Sequence, residues 1–322
     1  MNLLVTLLTT AFLQTVATAE AEYDPSASLG KVTVTDAEFE YGSDGRKVPL
    51  KLYLPEFATP APVILFSHGL GGSRAGNGYL GNHWAGRGYA VVVMQHAGSD
   101  SAIWQGVPLR QRMEEMKAAA SFENLQARVN DVAATLDQLT KWNAEDGMLK
   151  RRFDLAKVGM SGHSFGAVTT QAVSGQNYGP LGQKYTDDRI KAAVAFSPSP
   201  PAMGNMADTF ARVRIPWILM TGTKDESMVS RTTPEARRKV FAQLPAANHF
   251  YEVVLFEAEH NAFSDTNRIQ NRNRNPNHHK VILALSSAFW DTYLAGKPEA
   301  KSWLNGPAAR TLQQDKDVWN RK

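Results

Sequence analysis

The chain is 322 residues long and 43% hydrophobic, with 24 glycines, 16 prolines and no cysteine. That is enough apolar material for a large core and excludes extensive disorder, and the length suits one large α/β domain better than two. The net charge of +4 is spread along the chain, and the absence of cysteine excludes disulfides, a thiol nucleophile and any zinc–thiolate site.

Residues 1–19 carry no charged side chain: an apolar stretch from Leu3 to Val16 leads to Ala17-Thr18-Ala19 before Glu20. This reads as a secretory signal peptide cleaved after Ala19, although the usual basic start is missing. It predicts a periplasmic or secreted protein whose mature domain is residues 20–322. The competing reading, a membrane anchor, is weakened because the stretch is short and broken by threonines and Gln14. No later segment is apolar enough to cross a bilayer, so no integral membrane segment is expected after cleavage.

Residues 20–30 read as a mobile leader. Lys31 to Glu40 alternates with a slip, Val48-Leu50-Leu52-Leu54 alternates cleanly, and Ser43-Asp44-Gly45 between them predicts an antiparallel hairpin. Pro62 to Phe66 is a continuous apolar run, as a central buried strand requires. It ends in Ser67-His68-Gly69-Leu70-Gly71-Gly72, small residues that let a backbone approach a ligand with its N–H groups turned inwards. A short helix near Trp84 precedes a buried strand at Tyr89–Gln95. Residues 97–120, with Trp104, Met113 and Met116, read as an irregular excursion above the strand ends, where α/β proteins build their sites. A helix follows over 127–142, with Val129, Val132, Leu136 and Leu139 on one face.

The stretch from Leu155 to Val173 then reads strand, sharp turn, helix, with Gly162-His163-Ser164-Phe165-Gly166 at the turn. This is the G-x-S-x-G pattern in the context that gives it chemistry: a serine on a strained turn at a helix N-terminus, with glycines leaving room for strand and helix to pass. Further strands are predicted at 190–196, 217–220 and 251–256, with a rigid Ser197–Pro201 loop, a helix at 234–244 and a final helix at 281–295. Alternating elements of this kind imply a mostly parallel sheet with right-handed crossovers.

Ser164, Asp225 and His260 each sit just past a predicted strand, and a parallel sheet brings such loops to one edge. Their chain order is that of an α/β-hydrolase triad, with Ser164 as nucleophile, His260 as base and Asp225 fixing its tautomer. Glu226 is an alternative acid next to Asp225. Of the eight histidines, His163 is too close to the nucleophile's own turn to be the base, and His68 belongs to the glycine-rich loop. Leu70 and Phe165 N–H groups are the expected oxyanion hole. Trp104, His163 and Ser197 are candidate substrate contacts. No metal-ligand spacing is present and no cofactor is implied. The densest basic stretch, Arg268 to Lys280, lacks the aromatics of a nucleic-acid groove and reads as a solvated loop.

The segments Phe66 to Gly71 and Gly162 to Gly166 resemble those of the platelet-activating-factor acetylhydrolase group of α/β-hydrolases. The end of the chain, Ala288-Phe289-Trp290-Asp291-Thr292-Tyr293-Leu294-Ala295-Gly296-Lys297, resembles the last helix of predicted dienelactone hydrolases. Together these similarities span roughly residues 45–305. The resemblance implies an α/β-hydrolase fold: a mostly parallel sheet, an antiparallel N-terminal hairpin and helices on both faces. It also implies serine hydrolysis of a carboxylic ester, small or lipid-like, through an acyl-enzyme. Two departures matter. The acetylhydrolases carry their acid after the strand that follows the elbow helix, where this chain has Phe196-Ser197-Pro198, so the acid has to come from the next strand, at Asp225. Dienelactone hydrolases proper use a cysteine nucleophile, which this chain lacks. A polyester or lipid hydrolase of the same fold and a non-catalytic hydrolase-fold binding protein are the alternatives.

Overall fold

The computed structural model describes residues 23–57, 59–145, 147–201, 204–265 and 275–322. The predicted signal peptide lies outside the described residues, as does most of the basic stretch that ends at Lys280.

Among the described residues nine strands form one sheet. The hairpin of β1 (Val32–Tyr41) and β2 (Arg46–Pro55) is antiparallel, as its alternation predicts. β3 (Ala61–Ser67), β4 (Ala90–Met94), β5 (Phe153–His163), β6 (Ile190–Phe196), β7 (Trp217–Lys224) and β8 (Phe250–Glu259) are mutually parallel. The order across the sheet is β1-β2-β4-β3-β5-β6-β7-β8-β9, where β9 (Val318–Arg321) runs antiparallel to β8. The central strands are buried on both faces, which is why they read as unbroken apolar runs.

Helices cover both faces. In chain order they are α1 (Gly78–Gly86), α2 (Arg112–Ala119), α3 (Phe122–Ala144), α4 (Phe165–Val173), α5 (Met206–Phe210), α6 (Pro234–Gln243), α7 (Pro276–Tyr293), α8 (Pro298–Asn305) and α9 (Ala308–Thr311). One layer packs α1 and α7, through Trp84, Leu285, Phe289 and Trp290, on Ile64, Phe66 and Val194. The opposite layer packs α3 and α4 on Val63, Leu65 and Met160, while α6 covers the β6–β7 side through Val240 and Phe241. The starts of the long helices are written locally. Ser121 caps α3 and Thr233 caps α6, with Pro234 at its first turn, and Asn275 caps α7 ahead of Pro276. This is the α/β-hydrolase architecture that the sequence predicts.

Three expectations need correction. The leader is not loose from Tyr23 onwards: its hydroxyl donates to Asp291, Arg87 donates to the Asp24 and Ala27 carbonyls, and Leu29 N–H bonds Gly86 O. The 97–120 excursion is not irregular throughout, since it holds a 3₁₀ turn at Ser101–Trp104 and α2. The helix at 276–293 is not the last element, because α8, α9 and β9 follow it.

Candidate active site

The parallel strands deliver Ser67, His163, Phe196, Lys224 and Glu259 to one edge of the sheet, and the loops beyond them make the site. At the end of β5 the backbone turns sharply into α4. Ser164 occupies φ 57°, ψ −116°, a region costing a non-glycine residue about 1–3 kcal/mol. The neighbouring glycines allow the turn: a Cβ on Gly162 would overlap the Gly166 carbonyl, and one on Gly166 would overlap Ser67 O. The loop after β3 therefore lies directly against the elbow, and a Cβ on Gly69 would be 3.4 Å from Ser164 Cβ.

Ser164, His260 and Asp225 are brought together. His260 Nε2 is 2.9 Å from Ser164 Oγ, and its Nδ1 is 2.6 Å from Asp225 Oδ1. Asp225 is fully buried and its other oxygen accepts from Thr221 Oγ1 at 2.8 Å. Burial alone would raise the Asp225 pKa, but the His260 hydrogen bond and the Arg237 charge outweigh it and bring the carboxyl to about 2. The carboxylate is thus ionised, Nδ1–H is the donor, and Nε2 is left as an acceptor facing the Ser164 hydroxyl. Glu226, the alternative acid, is exposed.

The remaining candidates fall around this line. Phe165 is the first residue of α4, so its N–H has no partner within the helix. Among the described residues neither it nor Leu70 N–H bonds another backbone group. Trp104 lies beside this loop, its Nε1–H donating to Gly71 O at 3.0 Å with the Arg112 guanidinium over its ring. His163 is 6% exposed and donates from Nε2 to the His260 carbonyl at 3.0 Å. Burial and the adjacent His260 push its pKa down to about 3, so the ring is neutral. Ser197 is fully buried at φ 57°. Its Oγ makes no well-formed hydrogen bond, yet it lies close enough to Asp225 to favour the ionised carboxylate.

Two arginines escape the sequence reading. Arg237, 1% exposed, donates from Nε to Asp225 O at 2.9 Å and lies 3.1 Å from Asp225 Oδ1. Its Nη1 reaches Ser197 O and Pro198 O, tying the acid to the loop after β6. Arg128, fully buried in α3, donates to Ser67 Oγ, His68 O and Ser99 Oγ beneath the glycine-rich loop. Both sit in the apolar register of their helices. Leu125, Arg128, Val129 and Val132 share the buried face of α3, as Pro234, Arg237 and Phe241 share that of α6. A charged residue at a core position is the signal that would have found them. Among the described residues no three His, Cys, Asp or Glu side chains come together as a metal-ligand set, and no helix is long and apolar enough to cross a membrane.

Platelet-activating factor acetylhydrolase of Cavia porcellus is 29% identical over 203 residues, which is 54% of this chain and 42% of that protein. The chain therefore spans about two fifths of the relative's length. The family model for platelet-activating factor acetylhydrolase, isoform II, matches residues 53–230, a span that contains Leu70, Ser164, Phe165 and Asp225 and stops short of His260. With more than half of its length matched, this protein belongs to the platelet-activating factor acetylhydrolase, isoform II family of the α/β-hydrolase superfamily.

Proposed function

We propose that the protein is an exported serine esterase that cleaves carboxylic esters through an acyl-enzyme, within one catalytic domain of residues 20–322. Ser164 Oγ attacks the ester carbonyl while His260 Nε2 takes its proton. Leu70 and Phe165 N–H groups hold the tetrahedral oxyanion, each donor commonly worth about 3 kcal/mol. His260 then protonates the departing alcohol, and water, deprotonated by the same ring, releases the acid and restores Ser164. Asp225 fixes the Nδ1–H tautomer and stabilises the imidazolium. The observation that carries this reading is the unbroken hydrogen-bonded line Ser164–His260–Asp225 on a strained elbow.

Short or lipid-like acyl esters are the substrate class. The relative's name describes an acetylhydrolase, and Trp104 is bonded to Gly71 O beside the loop that would hold the carbonyl. Export to the periplasm or medium rests on the signal-peptide pattern at residues 1–19. The test is a fluorophosphonate reaction on folded protein, followed by peptide mapping. Labelling at Ser164 that vanishes on heat denaturation is expected, together with ester hydrolysis that falls at least 10³-fold in Ser164→Ala. Folded protein that hydrolyses esters with Ser164 unlabelled overturns the assignment.

A further inference from the structure

Arg128 makes contacts that its helix does not need. Its Nη1 donates to the His68 carbonyl at 2.7 Å, two residues before Leu70. Its Nη2 donates to Ser99 O at 3.3 Å, and that same carbonyl accepts Gly71 N–H, one residue after Leu70. The guanidinium thus holds the glycine-rich loop directly before Leu70 and, through the Ser99 carbonyl, after it. Across the elbow the same group lies over the Phe165 ring, with Cζ 4.5 Å from its centroid. Arg128 thus touches the Phe165 ring on one side and, on the other, the His68 and Ser99 carbonyls that flank and anchor the Leu70 loop.

The surroundings are built to keep this cation in place. The oxygens that accept its hydrogen bonds are all neutral, Ser99 Oγ, Ser67 Oγ, His68 O and Ser99 O, and its Nη2 also lies 3.4 Å from Nδ1 of the His68 ring. Ser67 Oγ, accepting from Arg128, can donate only to His96 Nε2 at 2.9 Å, because His96 Nδ1–H is committed to Asp131 at 2.9 Å. Asp131 is in turn ion-paired with Arg46 and accepts from the Tyr41 hydroxyl. Ser67, His96 and Asp131 thus reproduce a serine–histidine–aspartate line, but all three are fully buried, and the line serves to fix a hydroxyl under the loop. Burial pushes the Arg128 pKa down to about 9, which leaves it charged at neutral pH. A buried cation is costly to a fold, and here it is solvated by fixed dipoles beneath the place where an oxyanion would develop.

We propose that Arg128 is the positioning residue of the oxyanion hole, locking the Leu70 loop to the Phe165 elbow. This rests on the esterase reading above. Because the arginine acts on the transition state through the two amides, its loss should lower kcat and spare KM. Arg128→Met and Arg128→Lys are compared using a p-nitrophenyl acetate assay and inhibition by an alkyl boronic acid. The boronic acid adds Ser164 Oγ to boron, passes its proton to His260 and places an anionic boronate oxygen in the hole.

Arg128→Met should lose roughly 10²–10³-fold in kcat, the scale of one oxyanion donor, with KM within about threefold. Boronate affinity should fall in parallel with kcat/KM. Lysine should restore only part, since one ammonium cannot reach Ser67, His68 and Ser99 together. Should Arg128→Met fail to fold, Ser99→Ala removes one anchor with little change of volume, and a smaller loss following the same parallel is expected. Folded variants with wild-type kcat overturn the proposal, as does a loss carried by KM or one that leaves boronate affinity unchanged. A wild-type protein whose Ser164 resists fluorophosphonate overturns the esterase reading itself, and this inference with it.

Discussion

Replacing Asp225 by asparagine asks what the buried carboxylate contributes beyond orientation. In the wild type Oδ1 meets the His260 Nδ1–H at 2.6 Å and lies 3.1 Å from the cationic Arg237 Nε, whose hydrogen goes to the Asp225 carbonyl, while Oδ2 meets the Thr221 hydroxyl at 2.8 Å. Asparagine has one acceptor and one donor end. Arg237 cannot accept, so the amide oxygen must take the Oδ1 place, and the NH₂ turns to Thr221, whose hydroxyl can accept. The productive His260 tautomer therefore survives and only the charge is lost. Opposite charges about 4 Å apart at an effective dielectric of about 20 interact by about 4 kcal/mol, so the imidazolium formed in the transition state loses roughly 10³-fold in rate.

The arginine sets that limit. With Arg237→Met added, nothing prevents the amide from flipping its NH₂ towards Nδ1, and the total loss should approach the roughly 10⁴-fold seen when a triad histidine is held in the wrong tautomer. Steady-state kcat/KM on p-nitrophenyl acetate for both single variants and the double variant measures this, with circular dichroism as the check on folding. The reasoning is refuted if Asp225→Asn keeps more than about a tenth of wild-type activity, or if Glu226→Gln, a change at an exposed neighbour, costs as much.

The other predictions concern strain, acidity and the site of the acid. Ser164→Gly should abolish hydrolysis yet raise stability by about 1 kcal/mol or more, since glycine adopts φ 57° freely; a lower denaturant midpoint would show that the elbow is unstrained. His68, His96 and His163 are all held neutral by burial, His96 at about 4, His163 at about 3 and His68 well below its ordinary value. Each folded pKa lies below the unfolded value of about 6.5, so the unfolded chain binds the extra protons. The stability these rings confer is complete well above pH 6.5 and falls as pH drops below it, His96 and His163 together costing about 3 kcal/mol per pH unit towards pH 4.5 and His68 adding to the same fall. Urea midpoints that stay level over this window would contradict the burial of these rings. Ser197→Asp alone sets a second buried carboxylate beside Asp225 and should reduce activity. In the Asp225→Asn background it should recover at least tenfold in kcat/KM, and a double variant no better than the single one rules out that position for the acid.

How much of this the sequence carried depends on whether the signal was local. Pro62 to Phe66 and Ile190 to Phe196 are strands because both faces are buried, and apolar runs say so directly. The turn at Ser164 was legible because its glycines sit at fixed offsets, and the meeting of Asp225 and His260 because both follow parallel strands that end at one edge. β9 was not, because Val318–Arg321 alternates poorly and owes its pairing to β8. α2 was hidden by a polar composition, Arg-Met-Glu-Glu-Met-Lys, with no apolar stripe to betray it. Arg128 and Arg237 look like solvated surface until their helix register is read alongside the sheet they cover. The hydrogen bond from His260 to Asp225 shows the limit of reasoning by resemblance, which would look for a carboxylate after β6 and finds Ser197.

The parallel run of β5 to β8 gives the molecule a front and a back. Every residue of the site is at the carboxyl ends, while the connections at 211–216 and 244–249 enter β7 and β8 at the opposite edge. β8 spans ten residues, which at about 3.3 Å per residue places these back loops roughly 30 Å from the site. Ala246, Ala247 and Asn248 are exposed there, and the chain has no cysteine of its own. A single thiol at Ala247 would therefore be a unique handle, by which the protein could be tethered to a bead, an electrode or a dye with the serine facing away from the support.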